Sequence, residues 1–407
     1  MRIVDLFSGA GGLTFGFYYR LINNEFIRTH HEFVFCNEND KHAAAAFNMN
    51  FENMNMQNIG IQELSDERVR QLIGERSIDI VIGGPPCQSF STIGRRRFDD
   101  KAKLYKQYLR MLRIIQPRMF LFENVRGLLS MKEQVPVLDE NGIEMKDQNG
   151  EVVTKPGRLI TDIIEEQFFN IEGGIGYKIV GKEVLNAKNF GVPQNRERVF
   201  LVGIRNDLLE NINWTYPIAT HGDNLLPYIT ICEAISDLPI LEEGGHAEIY
   251  NARPTHPYQY LMRGTNQVLT EHYCGKHNKK LRLVIAAVPQ GKGRPYINEL
   301  VEKGELPPFC KLTTGYDNTY GRLVENQPST TITNNMCTPS ALRCIHYNQN
   351  RELTPREGAR IQSFPDWFRF EGKRANVTKQ IGNAVPPLLA MAMARQIELA
   401  LGENNNE

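Results

Sequence analysis

The chain has little that would commit it to a metal, a membrane or an oxidising compartment. Its seven cysteines, Cys36, Cys87, Cys232, Cys274, Cys310, Cys337 and Cys344, are odd in number and widely spaced, and no CxxC pair occurs. That pattern excludes a disulfide scaffold and a cysteine-based structural zinc site, and it predicts a reduced, cytoplasmic protein. His30, His31, His246, His256, His272 and His277 are scattered, none at ligand spacing with a second partner, so no metal is expected. No apolar run is long enough to span a membrane, and the first residues already read as a strand rather than a signal peptide. Net charge is missing too: 47 basic residues balance 47 acidic ones. Any nucleic-acid binding must therefore come from basic residues clustered locally. No repeat of solenoid length is visible.

What is present is an ordinary globular composition over 407 residues, enough for two domains or one large core with an insertion. Apolar runs read as strands at Arg2–Leu6, Glu32–Cys36, Ile78–Gly83, Met119–Glu123, Tyr177–Leu185 and Arg198–Ile204. Amphipathic stretches at Asp40–Met49, Asp66–Gly74 and Leu104–Ile115 lie between them. This alternation predicts an α/β fold, a mostly parallel sheet covered by helices on both faces. From Arg205 to about Pro339 prolines, glycines and histidines scatter and periodicity fades, as in a second domain or a long insertion. Pattern returns at Thr354-Pro355-Arg356-Glu357, a helix start with proline in its first turn. An apolar helix over Pro387–Leu401 precedes a polar tail, Asn404-Asn405-Asn406. Val135–Lys155 reads as an exposed antiparallel excursion, with type I′ turn signals at Asn141-Gly142 and Asn149-Gly150.

Cys87 stands in Gly83-Gly84-Pro85-Pro86-Cys87-Gln88-Ser89-Phe90-Ser91, directly after the apolar stretch Ile78–Ile82. A cysteine taken alone is most often a small buried apolar residue. Here two prolines fix the backbone and two glycines leave space, at the end of a strand where open α/β sheets do their chemistry. The position suits a displayed thiolate, the strongest nucleophile a side chain offers near neutral pH.

Asp5-Leu6-Phe7-Ser8-Gly9-Ala10-Gly11-Gly12-Leu13 follows the first strand and opens a helix. Glycines at such a turn let backbone N–H groups approach a ligand. A glycine-rich turn also fits dinucleotide enzymes, but the spacing here is G-x-G-G after an aromatic residue, not GxGxxG. Glu38 ends the second strand, where a carboxylate can accept from both ribose hydroxyls.

Taken in order, F-S-G-A-G-G, G-P-P-C-Q, E-N-V, Q-N-R-E-R, R-L-x-x-N-Q-P-S-T-T-I-T and G-N-A-V-P-P span most of the chain. The set resembles the C5-cytosine DNA methyltransferases, of the bacterial restriction-modification type, that use S-adenosylmethionine. The resemblance implies a Rossmann-like methyltransferase sheet with a smaller target-recognition domain. The division is a catalytic and cofactor-binding part over 1–210, target recognition over 211–344, and a returning segment over 345–407. It implies Cys87 as the thiolate that attacks cytosine C6, and Glu123 as the carboxylate on N3 and the exocyclic amine. Arg198 would hold the pyrimidine O2, and Arg196 would support the nucleotide or the surroundings of the cysteine. Phe7, Ser8, Gly9, Ala10, Gly11, Gly12 and Leu13 would line the methionine and ribose portions, with Glu38 on the ribose. Asn39 and Ile61 fall beside the adenine, Pro86 and Leu104 along the wall, and Asn383, Ala384 and Val385 close the pocket.

Two positions depart from the family pattern. Asn39 follows Glu38 where many relatives place a tryptophan that stacks on adenine. Gly60 precedes Ile61 where many carry an aspartate that accepts from the adenine amine. Arg95-Arg96-Arg97, with Lys101, Lys103 and Lys106, suits a loop over phosphates. Arg253, Arg263, Lys276, Lys279, Lys280, Arg282, Lys292 and Arg294 lie in the region expected to read base edges of double-stranded DNA. A monomer is expected, with a cognate restriction endonuclease as a further partner. One branch of the family acts on tRNA and carries a cysteine-phenylalanine-threonine signature, which Cys310-Lys311-Leu312-Thr313 does not reproduce. A catalytically dead DNA-binding regulator is disfavoured by intact Cys87, Glu123 and Arg198.

Overall fold

A computed structural model of the chain describes residues 1–85 and 104–403. The chain begins with β1 (Arg2–Leu6), α1 (Gly12–Tyr18), a hairpin of β2 (Tyr19–Ile22) and β3 (Glu25–Arg28), then β4 (Glu32–Asn37), α2 (Lys41–Asn50), the two-residue β5 (Met56–Gln57) and α3 (Asp66–Ile73). It continues through β6 (Ile80–Gly83), α4 (Leu104–Ile115), β7 (Met119–Val125), an arm of β8 (Lys132–Pro136) and β9 (Thr154–Leu159), α5 (Ile160–Phe169), β10 (Tyr177–Asn186) and β11 (Glu197–Arg205). Seven strands form one sheet in the order β10-β11-β7-β6-β1-β4-β5. The five from β7 to β5 are parallel, β11 alone runs against them, and β10, antiparallel to β11, points the same way as the five. The expected Rossmann-like α/β class is therefore the observed one, and the six strands read from the sequence are present with ends within a residue or two.

Strand order reverses at β1. The chain first builds outward to β4 and β5, then returns to add β6 and β7 on the other side. Ligand sites of open α/β sheets form at such a point, beyond the carboxyl ends of the strands. Period-two alternation sends Ile3, Ile82 and Leu121 into the core on one face, and Val4, Val81 and Phe120 into the core on the other. The second face is covered by α3, α4 and α5. Tyr105, Tyr108, Met111, Leu112 and Ile115 make one apolar stripe of α4. The Tyr108 hydroxyl lies between the carbonyls of Val81 and Leu121, 3.0 Å from each, which satisfies a polar atom that burial would otherwise penalise.

Beyond the sheet come α6 (Ile231–Ile235), α7 (Pro257–Arg263), α8 (Lys279–Ala287), α9 (Arg294–Glu302), α10 (Pro355–Ile361), α11 (Arg374–Asn383) and α12 (Pro387–Ala400). The sequence-read cap is realised at α10, where Thr354 and Glu357 form a reciprocal capping box ahead of Pro355. Ile231, Ile235, Tyr258, Leu261 and Met262 join the core beneath α1 and α12. Val284, Ile285, Val288, Ile297, Cys310 and Ile345 form a small core of their own around α8 and α9. α12 packs so tightly on α1 that a Cβ at Gly16 would lie 2.2 Å from the Ala390 carbonyl carbon.

Two hairpin expectations change. The β2–β3 hairpin was not legible as strands, yet it carries a two-residue loop, Asn23-Asn24, with both φ positive as a type I′ turn requires. The type I′ turns expected at Asn141-Gly142 and Asn149-Gly150 are not formed, because only the glycines have positive φ. The Asp139 carboxylate accepts from Asn141 N and Ile143 N, and Asp147 does the same for Asn149 N and Glu151 N. These aspartates draw each loop into a type I turn followed by a left-handed glycine. The two turns repeat the pattern D-x-N-G eight residues apart in an exposed arm that leaves Leu138, Ile143 and Met145 in solvent. Deleting Asp139–Gly150 behind a two-glycine link is expected to move the thermal midpoint by less than about 3 °C, roughly 1 kcal/mol for a large domain. Differential scanning calorimetry tests this, and a larger loss would make the arm part of the core.

Candidate active site

A cavity of about 730 Å³ opens at the strand-order reversal. Its floor is the turn after β1. Phe7, Gly9 and Gly11 all have positive φ (59°, 58° and 97°), which bends the chain sharply before α1. A side chain at Gly9 would meet nothing within 4 Å, so that edge of the turn is open. Phe7, Ser8, Gly9, Ala10, Gly12 and Leu13 line the cavity. Gly11 is not among the lining residues. It caps α1, and a Cβ there would lie 2.2 Å from the Phe51 ring, so its smallness serves packing.

β4 supplies the adjoining wall with Asn37, Glu38, Asn39 and Asp40. The Glu38 carboxylate accepts from Gly9 N at 2.9 Å and from Asp40 N at 2.7 Å. Burial raises its pKa, against those two hydrogen bonds. Asp40 caps α2 through His42 N and Ala43 N, and it pairs with Lys379 of α11 at 2.7 Å across the cavity mouth. Ile61, Gln62 and Leu104 complete this side, and Asn383, Ala384 and Val385 close the cavity from the C-terminal segment.

At the rim, Glu123 lies near the end of β7 and β11 begins beside it. Phe200 lies opposite Glu123, which leaves Arg198 diagonally across. Because β11 is antiparallel, its first residues reach the edge where the parallel strands end. Arg198 Nε lies 3.1 Å from Glu123 Oε1, with both side chains largely buried. Burial raises the Glu123 pKa, opposed first by Arg198 and then by Arg196. A Cβ at Gly84 would sit 2.6 Å from Glu123 Oε2, so the loop after β6 passes directly over the carboxylate. Asn124 Nδ2 donates to Pro85 O at 3.2 Å and holds that loop. Pro86, Cys87 and Arg95–Arg97, which follow, lie outside the described residues, as does the tail from Asn404.

Arg196 does not line the cavity. It is fully buried, and its guanidinium donates to Ile332 O (2.8 Å), Gly382 O (2.8 Å) and Ala384 O (2.9 Å). Its geometry is that of a tie beneath the site. Asp5 was missed by the sequence reading, although it ends the strand that leads into the glycine turn. It is 1% exposed and faces the cavity. Thr14 Oγ1 donates to its Oδ2, while Oδ1 has no hydrogen-bond partner among the described residues. Burial pushes its pKa up to about 7.

Basic residues of the middle region are partly engaged. Arg263 stacks on the Tyr250 ring at 3.6 Å, Arg294 pairs with Asp317 at 2.6 Å, and Lys280 donates to Lys311 O at 2.9 Å. Among the described residues no His, Cys, Asp and Glu cluster could hold a metal, and no helix is long and apolar enough to cross a membrane.

A glycine-turn cavity at the switch point of a mixed sheet, with a buried carboxylate–guanidinium pair at its rim, is the arrangement of a Rossmann-like transferase. The family model for C-5 cytosine-specific DNA methylases matches residues 1–149 and 151–399, and the chain belongs to that family. It is accordingly a DNA cytosine-5 methyltransferase. It is 33% identical to Type II methyltransferase M.DdeI of Desulfomicrobium norvegicum, over 98% of this chain and 88% of that protein. It is 31% identical to Type II methyltransferase M1.HphI of Haemophilus parahaemolyticus, over 100% and 88%. Among solved structures, a putative DNA modification methyltransferase encoded within an E. coli prophage superposes with a TM-score of 0.68 at 22% identity, over 99% of each chain. Spodoptera frugiperda DNMT2 superposes with a TM-score of 0.55 at 15% identity, over 97% of this chain and 99% of that one. These two establish the fold.

Asp5 yields a pH-dependent expectation. Its folded pKa lies above the unfolded value of 3.8, so its contribution to stability is intact below about pH 4 and is lost as pH rises to about 7. Asp5→Asn removes that loss. Urea titrations at pH 5 and pH 8 should show the variant gaining on the parent protein at the higher pH. An unchanged difference would mean that Asp5 does not titrate in this window.

Proposed function

We propose that the protein transfers a methyl group from S-adenosylmethionine to C5 of a cytosine flipped out of a specific double-stranded DNA sequence, through a covalent adduct between Cys87 and C6. The observation that carries this reading is the buried Glu123–Arg198 pair, set at the rim of the glycine-turn cavity under the loop that leads to Cys87. The cavity residues fit the cofactor. The volume is ample for a nucleoside joined to an amino acid. The unpartnered Asp5 Oδ1 suits an ammonium group, and Glu38 keeps lone pairs for ribose hydroxyls. Phe7 to Leu13 would lie along the methionine and ribose, Asn39 and Ile61 beside the base, and Pro86, Leu104 and Asn383 to Val385 along the walls. When bound, S-adenosylmethionine supplies a methyl group on a sulfonium, electrophilic enough for a carbon nucleophile.

The remaining work falls to the chain. Cytosine C5 is too weak a nucleophile unaided. Attack of the Cys87 thiolate on C6 makes C4–C5 enamine-like while charge develops on the ring. Glu123 contacts N3 and the exocyclic amine and stabilises that charge. Arg198 donates to O2, and a positive charge beside the thiol would favour the thiolate. Loss of the C5 proton, to water or a side chain, expels Cys87. Arg196 acts as a positioning residue through the carbonyls that it ties. Flipping the base costs roughly a few kcal/mol. Region 211–344 and the basic run Arg95–Arg97 are assigned to recovering that cost through phosphate and base-edge contacts. Relatives named Type II methyltransferases support a partner endonuclease acting on the same site.

Cys87→Ala is expected to abolish methyl transfer and leave DNA binding intact. A duplex with 5-fluorocytosine at the target should be trapped covalently by the parent enzyme alone, because fluorine cannot leave as the proton does. Denaturing electrophoresis reads the adduct, and trapping that persists in the variant refutes the mechanism. Glu123→Gln should lower turnover by about two to four orders of magnitude with cofactor affinity unchanged. Collapse of cofactor binding, measured by calorimetry, would reassign Glu123 to the cofactor.

A further inference from the structure

Resting on the S-adenosylmethionine reading, we infer that Gln62 reads the hydrogen-bonding edge of the cofactor's purine, in the space left by the missing side chain of Gly60. The backbone on either side is pinned. Asn37 Nδ2 donates to Ile59 O at 2.9 Å, and Arg110 Nη2 donates to Ile61 O at 2.7 Å and Leu64 O at 3.0 Å. Arg110 is itself held by Asp66 at 2.5 Å, and Glu63 N closes a turn onto Gly60 O at 2.9 Å. Between these anchors Ile61 is buried as an apolar wall of the cavity. The next side chain, Gln62, also lines the cavity, but it is exposed and its carboxamide makes no hydrogen bond among the described residues.

Gly60 accounts for where that carboxamide lies. A Cβ at position 60 would fall 2.6 Å from Gln62 Nε2 and 2.6 Å from Glu63 Oε1. A side chain at 60 and the Gln62 amide therefore compete for one volume, and glycine leaves it to the amide. The neighbouring Asp40 carboxylate is committed to the α2 cap and to Lys379, so it is not a free acceptor for the base.

The chemistry of the amide differs from that of a carboxylate. Adenine presents an amino donor at C6 beside an acceptor at N1. A carboxamide offers one acceptor and two donors in a plane and matches both. A 6-oxo purine presents the reverse pattern, and the same amide matches it after turning over. A carboxylate, which only accepts, meets the one donor of either edge and faces a lone pair beside it. Gln62 thus matches either purine edge in full, where a carboxylate in its place would match half of each.

Calorimetric binding of S-adenosylhomocysteine and its 6-oxo analogue, S-inosylhomocysteine, tests this. The parent protein should bind the two within about tenfold. Gln62→Ala should weaken S-adenosylhomocysteine about three- to tenfold, the worth of one net hydrogen bond. Gln62→Glu, which matches half of either edge, should weaken both ligands about three- to tenfold. Parent-like binding of both ligands by Gln62→Ala and Gln62→Glu overturns the inference and leaves the cofactor reading standing. Failure of the parent protein to bind S-adenosylhomocysteine overturns that reading, and this inference with it.

Discussion

Two stretches far from it in sequence converge on the guanidinium of Arg196. It donates to the carbonyl of Ile332 on one side and to those of Gly382 and Ala384 on the other. The last two belong to the segment that closes the cavity, so the same hydrogen bonds that order the C-terminal return also shape the site. The bonds to Ile332 and Gly382 are buried, and a buried carbonyl stripped of its donor costs about 1–3 kcal/mol. Gln194 repeats the device one step earlier in the strand. Its Oε1 accepts from Ile332 N at 2.8 Å, and its amide meets Gln362, which in turn reaches Ala384 O at 2.6 Å.

The period of an extended chain explains why one short motif does so much. Gln194, Arg196 and Arg198 are alternate residues leading into β11 and therefore share a side. The first two are spent on backbone carbonyls, and the third emerges at the cavity rim against Glu123. Chemistry and architecture are thus two ends of the same row. The antiparallel direction of β11 is essential to this. A parallel strand in that place would bring its last residues, not its first, to the edge where Glu123 sits.

Much of this was legible in the sequence because the cues were local. Strand alternation, the glycine turn and the Thr354 cap each depend on residues within a few positions of one another. The cavity walls from Phe7 to Leu13 and from Asn383 to Val385 were legible through family motifs. What escaped depended on contacts between distant segments. Arg196 reads as a basic residue among basic residues until Ile332 and Gly382 are brought to it. Asp5 gives no sign of its unpartnered oxygen, since burial is a property of the whole fold. Gln62 acquires meaning only beside the vacancy at Gly60. The loops of the arm failed differently, because asparagine–glycine favours one turn and the aspartate two residues earlier enforced another.

The close seating of α12 on α1 bears on how the protein comes into being. Gly16 lies against the backbone of Ala390, Arg20 and His31 both hold Glu398, and Met1 pairs with Glu403. The first helix after the glycine turn therefore waits, during synthesis, for partners made nearly four hundred residues later. Until they emerge from the ribosome, the part of α1 that α12 covers stays exposed and the cavity lacks its Asn383–Val385 wall. The same dependence makes the exposed α1 of an unfinished chain a natural client for chaperones.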